Sequence, residues 1–149
     1  MSAIKKAIIM RGLPGSGKSF WVNEFLSALP PEMAGQVRAH GLFSTDSFFM
    51  RDGEYHFEVA KLSEYHQRNL AGFIAALGRG EPLVICDNTN LAHWEFLAYE
   101  TAARALGYEV EKVLIGNPAD RRHQALCAER NSHGVPLAAI RRMARAFEP

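Results

Sequence analysis

A phosphate-binding loop is the clearest chemical signal in the sequence. Residues 12–19 read GLPGSGKS and match the pattern G-x-x-x-x-G-K-[ST] at every fixed position. Glycines leave the backbone N–H groups free to surround a phosphate, and the helix that follows adds the partial positive charge of its first turn. The loop therefore predicts binding of ATP phosphates by Gly12, Pro14, Gly15, Ser16, Gly17, Lys18 and Ser19.

One hydroxyl and one carboxylate side chain, those of Ser19 and Asp87, predict a metal site beside that loop. Lys18 is expected to bridge the β- and γ-phosphates, and the Ser19 hydroxyl to hold Mg²⁺. Asp87 directly follows the apolar run at residues 83–86, and an acid at the carboxyl end of a neighbouring strand reaches the metal in such sites. The alternative for Asp87 is capping of the next helix, for which Asn90 is better placed.

A second acid, Asp46, is predicted to end the strand whose residues 41–45 read GLFST. Ligands of parallel sheets bind beyond the carboxyl ends of the strands, so Asp46 and Asp87 should converge beside the loop. An acid close to the γ-phosphate but away from the metal can take the proton of an acceptor hydroxyl, which makes Asp46 the predicted general base. The alternative is that Asp46 caps a short turn at residues 47–50.

The elements that must position these residues alternate along the chain. Short β-branched or aromatic runs predict strands at residues 7–10, 41–44, 83–86 and 110–115. Helical spacing predicts helices at residues 18–29, 59–77, 92–106, 118–131 and 136–147. Residues 30–31 and 78–82 are predicted to be turns. This alternation predicts an α/β domain whose parallel sheet is covered on both faces.

Length and composition bound the class of protein. The 149 residues with 48% hydrophobic content suit one domain, residues 1–149. Two cysteines and the absence of a secretory leader predict a reducing, cytoplasmic compartment, and no apolar run is long enough to predict a membrane span. The histidines have no metal-ligand spacing and neither cysteine has a nearby base, so neither a zinc site nor a thiol catalyst is predicted.

Positive charge is concentrated near the end of the sequence. The net charge of the chain is +1, but residues 120–145 carry +4 and the remainder −3. Such a segment suits a phosphate-rich partner, whereas an ordinary solvated helix face is the alternative. The arginines of this segment are Arg121, Arg122, Arg130, Arg141, Arg142 and Arg145.

These motifs together resemble the P-loop polynucleotide 5′-hydroxyl kinases, represented by the kinase domain of a phage end-healing kinase-phosphatase. The similar ATP-binding domain of an animal ubiquitin-ligase-binding protein family is the closer match. The resemblance extends over residues 8–147 and rests on GLPGSGKS at 12–19, STDSFF at 44–49, RDG at 51–53, DNTNL at 87–91, WE at 94–95 and ERNSHGVP at 129–136. It implies a P-loop kinase fold with four parallel strands in the order 2-3-1-4 and a C-terminal helical lid.

The resemblance also implies an activity and further site residues. The activity is transfer of the ATP γ-phosphate to a hydroxyl, classically the 5′-OH of a DNA or RNA end, with Asp46 as base and Arg130 brought onto the phosphates by the lid. The alternative for Arg130 is a cation at a helix C-terminus. Acceptor contacts are expected from Arg51, His66, Asn69, Asn88, Thr89, Asn90 and His133. His66 and Asn69 share a helix face and could instead order the Asp46 segment, and His66 could be an ordinary half-buried histidine.

Two departures from the family pattern leave the acceptor open. His133 stands where the phage branch has a second lid arginine, and Ser47 stands where many relatives have a second acid. A kinase of a small molecule or nucleotide-sugar and an ATP-binding switch or interaction module are therefore alternatives. Asp46 separates the kinases from the switch, because a switch needs a positioned water but no base for an acceptor hydroxyl.

Overall fold

A computed structural model describes residues 4–149; the first three residues of the predicted domain lie outside this range. The strands are β1 (Lys6–Arg11), β2 (Leu42–Phe43), β3 (Met50–Arg51), β4 (Glu54–Tyr55), β5 (Leu83–Asp87) and β6 (Glu109–Leu114). The α-helices are α1 (Lys18–Ser27), α2 (Pro31–His40), α3 (Leu62–Gly78), α4 (His93–Ala105), α5 (Arg121–Arg130) and α6 (Leu137–Ala144). Short 3₁₀ helices lie at Thr45–Phe49 and Val59–Lys61.

The main sheet runs β2-β5-β1-β6 with every pair of neighbours parallel. Its members are the second, third, first and fourth strands of that sheet along the chain, and the separate β3–β4 hairpin adds the other two strands. Met10 of β1 pairs with Asp87 of β5. The acid that ends β5 therefore lies beside the end of β1, where the phosphate-binding loop begins.

Helices cover both faces of this sheet, as predicted. The side chains of β1 alternate, so that Ile8 and Met10 pack against α1 and α2 while Ala7 and Ile9 pack against α3 and α4. All four of these side chains are fully buried. A strand buried on both faces reads as a continuous apolar run, which is the pattern that identified β1 in the sequence.

Helix α2 corrects the predicted turn at residues 30–31. Pro31 is the first residue of this helix and Pro30 precedes it. Proline is favoured in the first helical turn because its missing N–H has no intrahelical acceptor there and its φ angle is already helical. Only Val37 of α2 is buried, so the apolar periodicity that revealed the other helices was too weak in this segment.

The β3–β4 hairpin was not predicted either, although its turn has a sequence signal. Met50 pairs with Tyr55 and Arg51 with Glu54, which leaves Asp52 and Gly53 as a two-residue turn. Both have positive φ angles, 52° and 79°, as a type I′ turn requires. Asp-Gly is a favoured pair for this turn, but the flanking strands are too short to show alternation.

Several predicted helices begin later than expected because capping residues precede them. Asp120 caps α5 by accepting the N–H of Arg122 at 3.2 Å. Ala92 precedes α4, and its N–H is bound at 2.8 Å by the carboxylate of Glu95. Neither Asp87 nor Asn90 is therefore the cap of α4. Among residues 4–149, no helix is long and apolar enough to cross a membrane.

Candidate active site

The loop between β1 and α1 has the backbone geometry expected of the predicted phosphate cradle. Gly15 and Gly17 have φ angles of 80° and 107°, and a Cβ at Gly15 would collide with the carbonyl oxygen of Cys127. The glycine at position 15 is thus required by the packing of α5 against the loop as well as by its backbone conformation. The Ser16 hydroxyl is buried and has no hydrogen-bond partner among the residues described, which fits a position for a phosphate oxygen.

Lys18 lies across this loop as expected for a phosphate-binding lysine. Its Nζ donates to the carbonyl oxygen of Leu13 at 2.9 Å. Burial lowers the pKa of Lys18, although the carboxylates of Asp87 and Asp46 act in the opposite direction. The ammonium group is therefore poorly compensated by the protein alone, and phosphate oxygens are the ligands that would complete its environment.

Ser19 and Asp87 meet where the metal was predicted. The Ser19 hydroxyl donates to Asp87 Oδ2 at 2.9 Å. Burial raises the pKa of Asp87, while Lys18 and the Ser19 hydroxyl hold it down. Hydroxyl and carboxylate oxygens are hard donors of the kind that Mg²⁺ prefers. The pair fits the role predicted for it, in which Ser19 and Asp87 hold or orient the metal that accompanies a nucleoside triphosphate.

Asp46 lies beyond its strand rather than at its end, because β2 stops at Phe43 and Asp46 belongs to the 3₁₀ helix that follows. Asp46 is not the cap of that helix, which Ser44 precedes. Its Oδ1 accepts the hydroxyl hydrogen of Tyr55 at 3.2 Å. Its Oδ2 lies 3.4 Å from Nδ1 of His133.

A short chain of polar side chains holds the Asp46 segment against β5. Asn88 Oδ1 accepts the N–H of Thr45 at 2.9 Å, and Asn88 Nδ2 donates to Thr45 Oγ1 at 3.1 Å. The same hydroxyl lies 2.9 Å from Nδ1 of His66. Burial lowers the pKa of His66, which favours the neutral ring. This contact links His66 to the Asp46 segment, which fits one of the three roles open for it from the sequence.

Three residues predicted to bind the acceptor have partners within the protein instead. Asn69 is 1% exposed and donates to the Tyr99 hydroxyl at 2.9 Å. Asn90 is equally buried and donates to the carbonyl oxygen of Met10 at 2.8 Å. Arg51 points to Glu58, 3.6 Å away. The amide groups of Asn69 and Asn90 donate within the core, although Oδ1 of Asn69 has no partner among the described residues. None of the three residues lines the main cleft.

Most of the remaining predicted residues line one cleft of about 890 Å³. It contains the phosphate-binding loop together with Asp46, Asp87, Asn88, Thr89, Arg130 and His133. Arg130 is the last residue of α5 and is exposed. A second cavity of about 500 Å³ adjoins the cleft through Asn88 and Thr89 and is lined by His66, Asn90 and the exposed ring of Trp94, among others.

Two residues at this site were missed in the sequence. Tyr55 lies in the unpredicted hairpin, so its hydroxyl could not be placed at Asp46. Thr45 was read only as part of the strand before Asp46, whereas its hydroxyl connects Asn88 and His66. The Asp-Gly turn at residues 52–53 is the one signal that could have led to Tyr55, and no sequence signal identified Thr45.

The parallel sheet, the phosphate-binding loop and the helices on both faces define a P-loop kinase fold, a fold that binds nucleotides and supports phosphoryl transfer. The chain belongs to the AAA domain family, whose profile matches residues 8–149. The chain is also 33% identical over 143 residues to the human NEDD4-binding protein 2. That match covers 95% of this chain but only 8% of NEDD4-binding protein 2.

Solved structures with the same fold come from proteins of several activities. The structure of the Pnkp1/Rnl/Hen1 RNA repair complex contains a chain that matches this one with a TM-score of 0.68 at 16% identity. The match covers 98% of this chain and 45% of that chain. Kti12 of Chaetomium thermophilum, solved with ADP-AlF3, gives a TM-score of 0.57 at 17% identity, and the match covers 96% of this chain and 80% of Kti12. A gluconokinase of Sinorhizobium meliloti gives a TM-score of 0.50 at 17% identity, and the match covers 99% of this chain and 78% of the gluconokinase. Identities this low establish the fold alone.

Proposed function

We propose that this protein is an ATP-dependent kinase that transfers the γ-phosphate to a hydroxyl acceptor, the 5′-OH of a DNA or RNA end. The observation that carries the proposal is the position of Asp46. This acid lines the same cleft as Lys18 and the Ser19–Asp87 pair, but its two oxygens face Tyr55 and His133 rather than the metal pair. A protein that only bound ATP would have no need of a second acid there, and one that hydrolysed ATP would need a positioned water but no base for an acceptor hydroxyl.

The phosphate-binding loop and its lysine perform the first part of the reaction. Backbone N–H groups between Gly15 and Ser19 hold the β-phosphate, because Pro14 has no N–H and that of Gly12 already donates to the carbonyl oxygen of Thr89 at 2.9 Å. Lys18 exchanges the carbonyl of Leu13 for the β- and γ-phosphate oxygens. Mg²⁺ held by Ser19 and Asp87 would neutralise charge on the same phosphates.

Asp46 performs the second part by accepting a proton. The acceptor O–H donates its proton to Asp46 as its oxygen forms a bond to the γ-phosphorus. The bond between that phosphorus and the oxygen of the β-phosphate breaks, and ADP leaves with the electron pair. Arg130 reaches the equatorial oxygens from the lid side of the cleft, where charge spreads in the transition state. Cations in this role contribute about 10³- to 10⁵-fold in rate in related reactions.

The charge of α5 and α6 supports a polynucleotide acceptor. Within residues 4–149, none of the six arginines between positions 120 and 145 forms an ion pair with an acid, whereas Arg68, Arg79 and Arg104 all do. Arginines without acidic partners are available to phosphates. The fold shared with a chain of an RNA repair complex is consistent with such an acceptor.

A small-molecule kinase is the second candidate, because a gluconokinase has the same fold. In that case the arginines of α5 and α6 would contribute only to ATP binding or to solubility. An ATP-binding interaction module, the third class, is disfavoured by Asp46. The two cysteines are free and buried, which agrees with the cytoplasmic location that we propose.

The decisive experiment locates the label from γ-labelled ATP. The protein is incubated with Mg²⁺ and a panel of 5′-OH oligonucleotides, nucleosides and sugars, in parallel with Asp46→Asn as the matched control. We expect labelled 5′ ends with the wild type and none with Asp46→Asn, although both bind ATP. Label on a nucleoside or sugar alone would identify a small-molecule kinase, and release of inorganic phosphate without transfer would identify an ATPase. Transfer by Asp46→Asn at the wild-type rate would refute the base assignment.

A further inference from the structure

Side chains from three separate segments meet at Asp46. Tyr55 of β4 donates its hydroxyl hydrogen to Asp46 Oδ1 at 3.2 Å. His133, in the loop between α5 and α6, has its Nδ1 3.4 Å from Asp46 Oδ2. The rings of Tyr55 and His133 stack, with centroids 3.7 Å apart and planes 8° apart. The hairpin, the lid loop (residues 131–136) and the Asp46 segment are thus joined at one point in the cleft.

Tyr55 is firmly held in this arrangement. Its ring packs edge-on against Phe49 with centroids 6.0 Å apart, and Phe49 is only 1% exposed. Burial and the adjacent carboxylate of Asp46 raise the pKa of Tyr55, so its hydroxyl remains a proton donor at neutral pH. Tyr55 can therefore fix the orientation of the carboxylate through Oδ1 while leaving Oδ2 for a second partner.

His133 is held less tightly at the carboxylate. Its 3.4 Å separation from Oδ2 is long for a hydrogen bond, for which about 2.7–3.2 Å is usual. The loop that carries it is nevertheless preformed, because Asn131 Oδ1 accepts the N–H of Val135 at 2.8 Å and Asn131 Nδ2 donates to the carbonyl of Val135 at 2.9 Å. The ring is thus delivered to the cleft by an ordered loop but is easily displaced from Asp46.

We propose that Tyr55 and His133 are positioning residues of the acceptor site, with distinct roles. Tyr55 orients Asp46 through Oδ1. His133 covers Oδ2 until the acceptor hydroxyl takes its place, and its stack on Tyr55 keeps the lid loop closed over the cleft. The inference rests on the proposed function, because it assigns Oδ2 of Asp46 to the acceptor proton.

The first test detects the stacked pair of Tyr55 and His133, called the clamp below, without any catalytic readout. Amide hydrogen exchange is followed in the hairpin (residues 50–55) and in the lid loop. Tyr55→Ala should speed exchange in the lid loop, and His133→Ala should speed it in the hairpin, because each removes one ring of the stack. His56→Ala, a change in the histidine that directly follows the hairpin and faces Glu54, should leave the lid loop unaffected. Unchanged exchange across the stack in both variants would overturn the clamp.

The second test separates the two roles by steady-state kinetics. Tyr55→Phe keeps the ring and removes only the hydroxyl, so kcat should fall about tenfold to a hundredfold, the range for loss of one hydrogen bond to a charged group, with little change in the KM for the acceptor. His133→Phe keeps the stack and removes Nδ1, so the KM for the acceptor should fall while the KM for ATP stays constant. A wild-type kcat in Tyr55→Phe, or a raised acceptor KM in His133→Phe, would refute the respective role.

Matched controls come from outside the cleft. Tyr108→Phe removes a hydroxyl that donates to the carbonyl of Glu81 at 2.6 Å, and His56→Phe repeats the histidine change in the hairpin. Both should retain the kinetic constants of the wild type. If the wild type transfers phosphate to no acceptor, the proposed function and the positioning roles fail together, and hydrogen exchange still decides whether the clamp exists. If the wild type transfers phosphate but Tyr55→Phe and His133→Phe have the same kinetic constants as the control variants, the proposed function stands and only the positioning roles are wrong.

Discussion

At the scale of single residues, Lys18 has the environment of a group that lacks its ligand. It is half-buried, and a carbonyl oxygen of its own loop is its hydrogen-bond acceptor. The charged form of Lys18 is therefore disfavoured by its surroundings in the absence of phosphate. For this reason we expect Lys18 to contribute little to the stability of the fold.

Lys18→Ala should accordingly abolish nucleotide-dependent chemistry and leave the fold intact. Loss of hydrogen bonds to charged phosphates costs about 1.5–3 kcal/mol, so the variant should gain much less thermal stability from Mg²⁺-ATP than the wild type does. The measurement is a thermal shift with and without nucleotide, with Lys5→Ala as a control at an exposed lysine outside the cleft. Equal shifts in the wild type and Lys18→Ala would show that this loop is not the ATP site.

The two acids of the cleft should respond differently to amidation because they have different partners. Asp87 receives the Ser19 hydroxyl and lies next to the loop, whereas Asp46 faces Tyr55 and His133. Asp87→Asn should raise the Mg²⁺ concentration needed for half-maximal transfer, while Asp46→Asn should lose transfer at every Mg²⁺ concentration. A Mg²⁺ titration of both variants checks this, and identical titration curves would contradict the division of roles.

At the level of elements, the length of α5 distinguishes a polynucleotide acceptor from a small molecule. Arg130 ends this helix at the cleft, whereas Arg121 and Arg122 begin it. Nine residues at about 1.5 Å each place the two ends roughly 14 Å apart. A nucleoside in the cleft cannot contact both ends of the helix, but a polynucleotide backbone can.

Binding of a 5′-OH oligonucleotide should therefore weaken with salt. Each contact between a cation and a phosphate contributes a log–log slope of about −0.7 on a single strand, so two to four contacts give about −1.5 to −3. Replacing both Arg121 and Arg122 by alanine should make the slope shallower by up to about 1.4, whereas Arg79→Ala, which removes an arginine paired with Glu81, should not change it. Absence of oligonucleotide binding at low salt would favour the small-molecule kinase.

At the scale of the whole molecule, Arg11 ties the end of β1 to distant parts of the chain. It is 6% exposed, and its guanidinium lies 4.7 Å from the ring centroid of Phe96 and 5.1 Å from that of Phe147. It also donates to the carbonyl oxygens of Asn90 and Leu91 at 2.8 Å and to that of Glu148. One buried side chain thus joins the sheet, the segment before α4 and the segment after α6.

Arg11→Met should lower stability because those carbonyl groups lose their donor. An unsatisfied buried polar group costs about 1–3 kcal/mol, and each kcal/mol lowers the Tm by about 2–4 °C in a protein of this size. Arg38→Met removes a single hydrogen bond to Asn23 on the surface and should be nearly neutral. If the two variants melt at the same temperature in a thermal unfolding experiment, Arg11 does not hold the molecule together.

The features that depend on local pattern were predictable from the sequence. The apolar run of β1, the loop after it and the acid after β5 follow one another at spacings that only a nucleotide-binding α/β fold combines. The positions of Lys18, Ser19, Asp87 and Asp46 in one cleft followed from a general rule about the carboxyl ends of parallel strands. Local chemistry and chain order were enough for these, because neighbouring strands in this fold always present the same edge.

Which polar side chains line the cleft and which stabilise the core depends on tertiary contacts. Asn69 and Asn90 are fully buried against Tyr99 and Met10, partners that are distant in sequence and set by packing. Tyr55 reaches Asp46 through a hairpin whose strands have two residues each, too few to show a period. It meets His133 because separate elements fold onto the same cleft, and that contact between residues far apart in the chain has no local signature that a sequence could display.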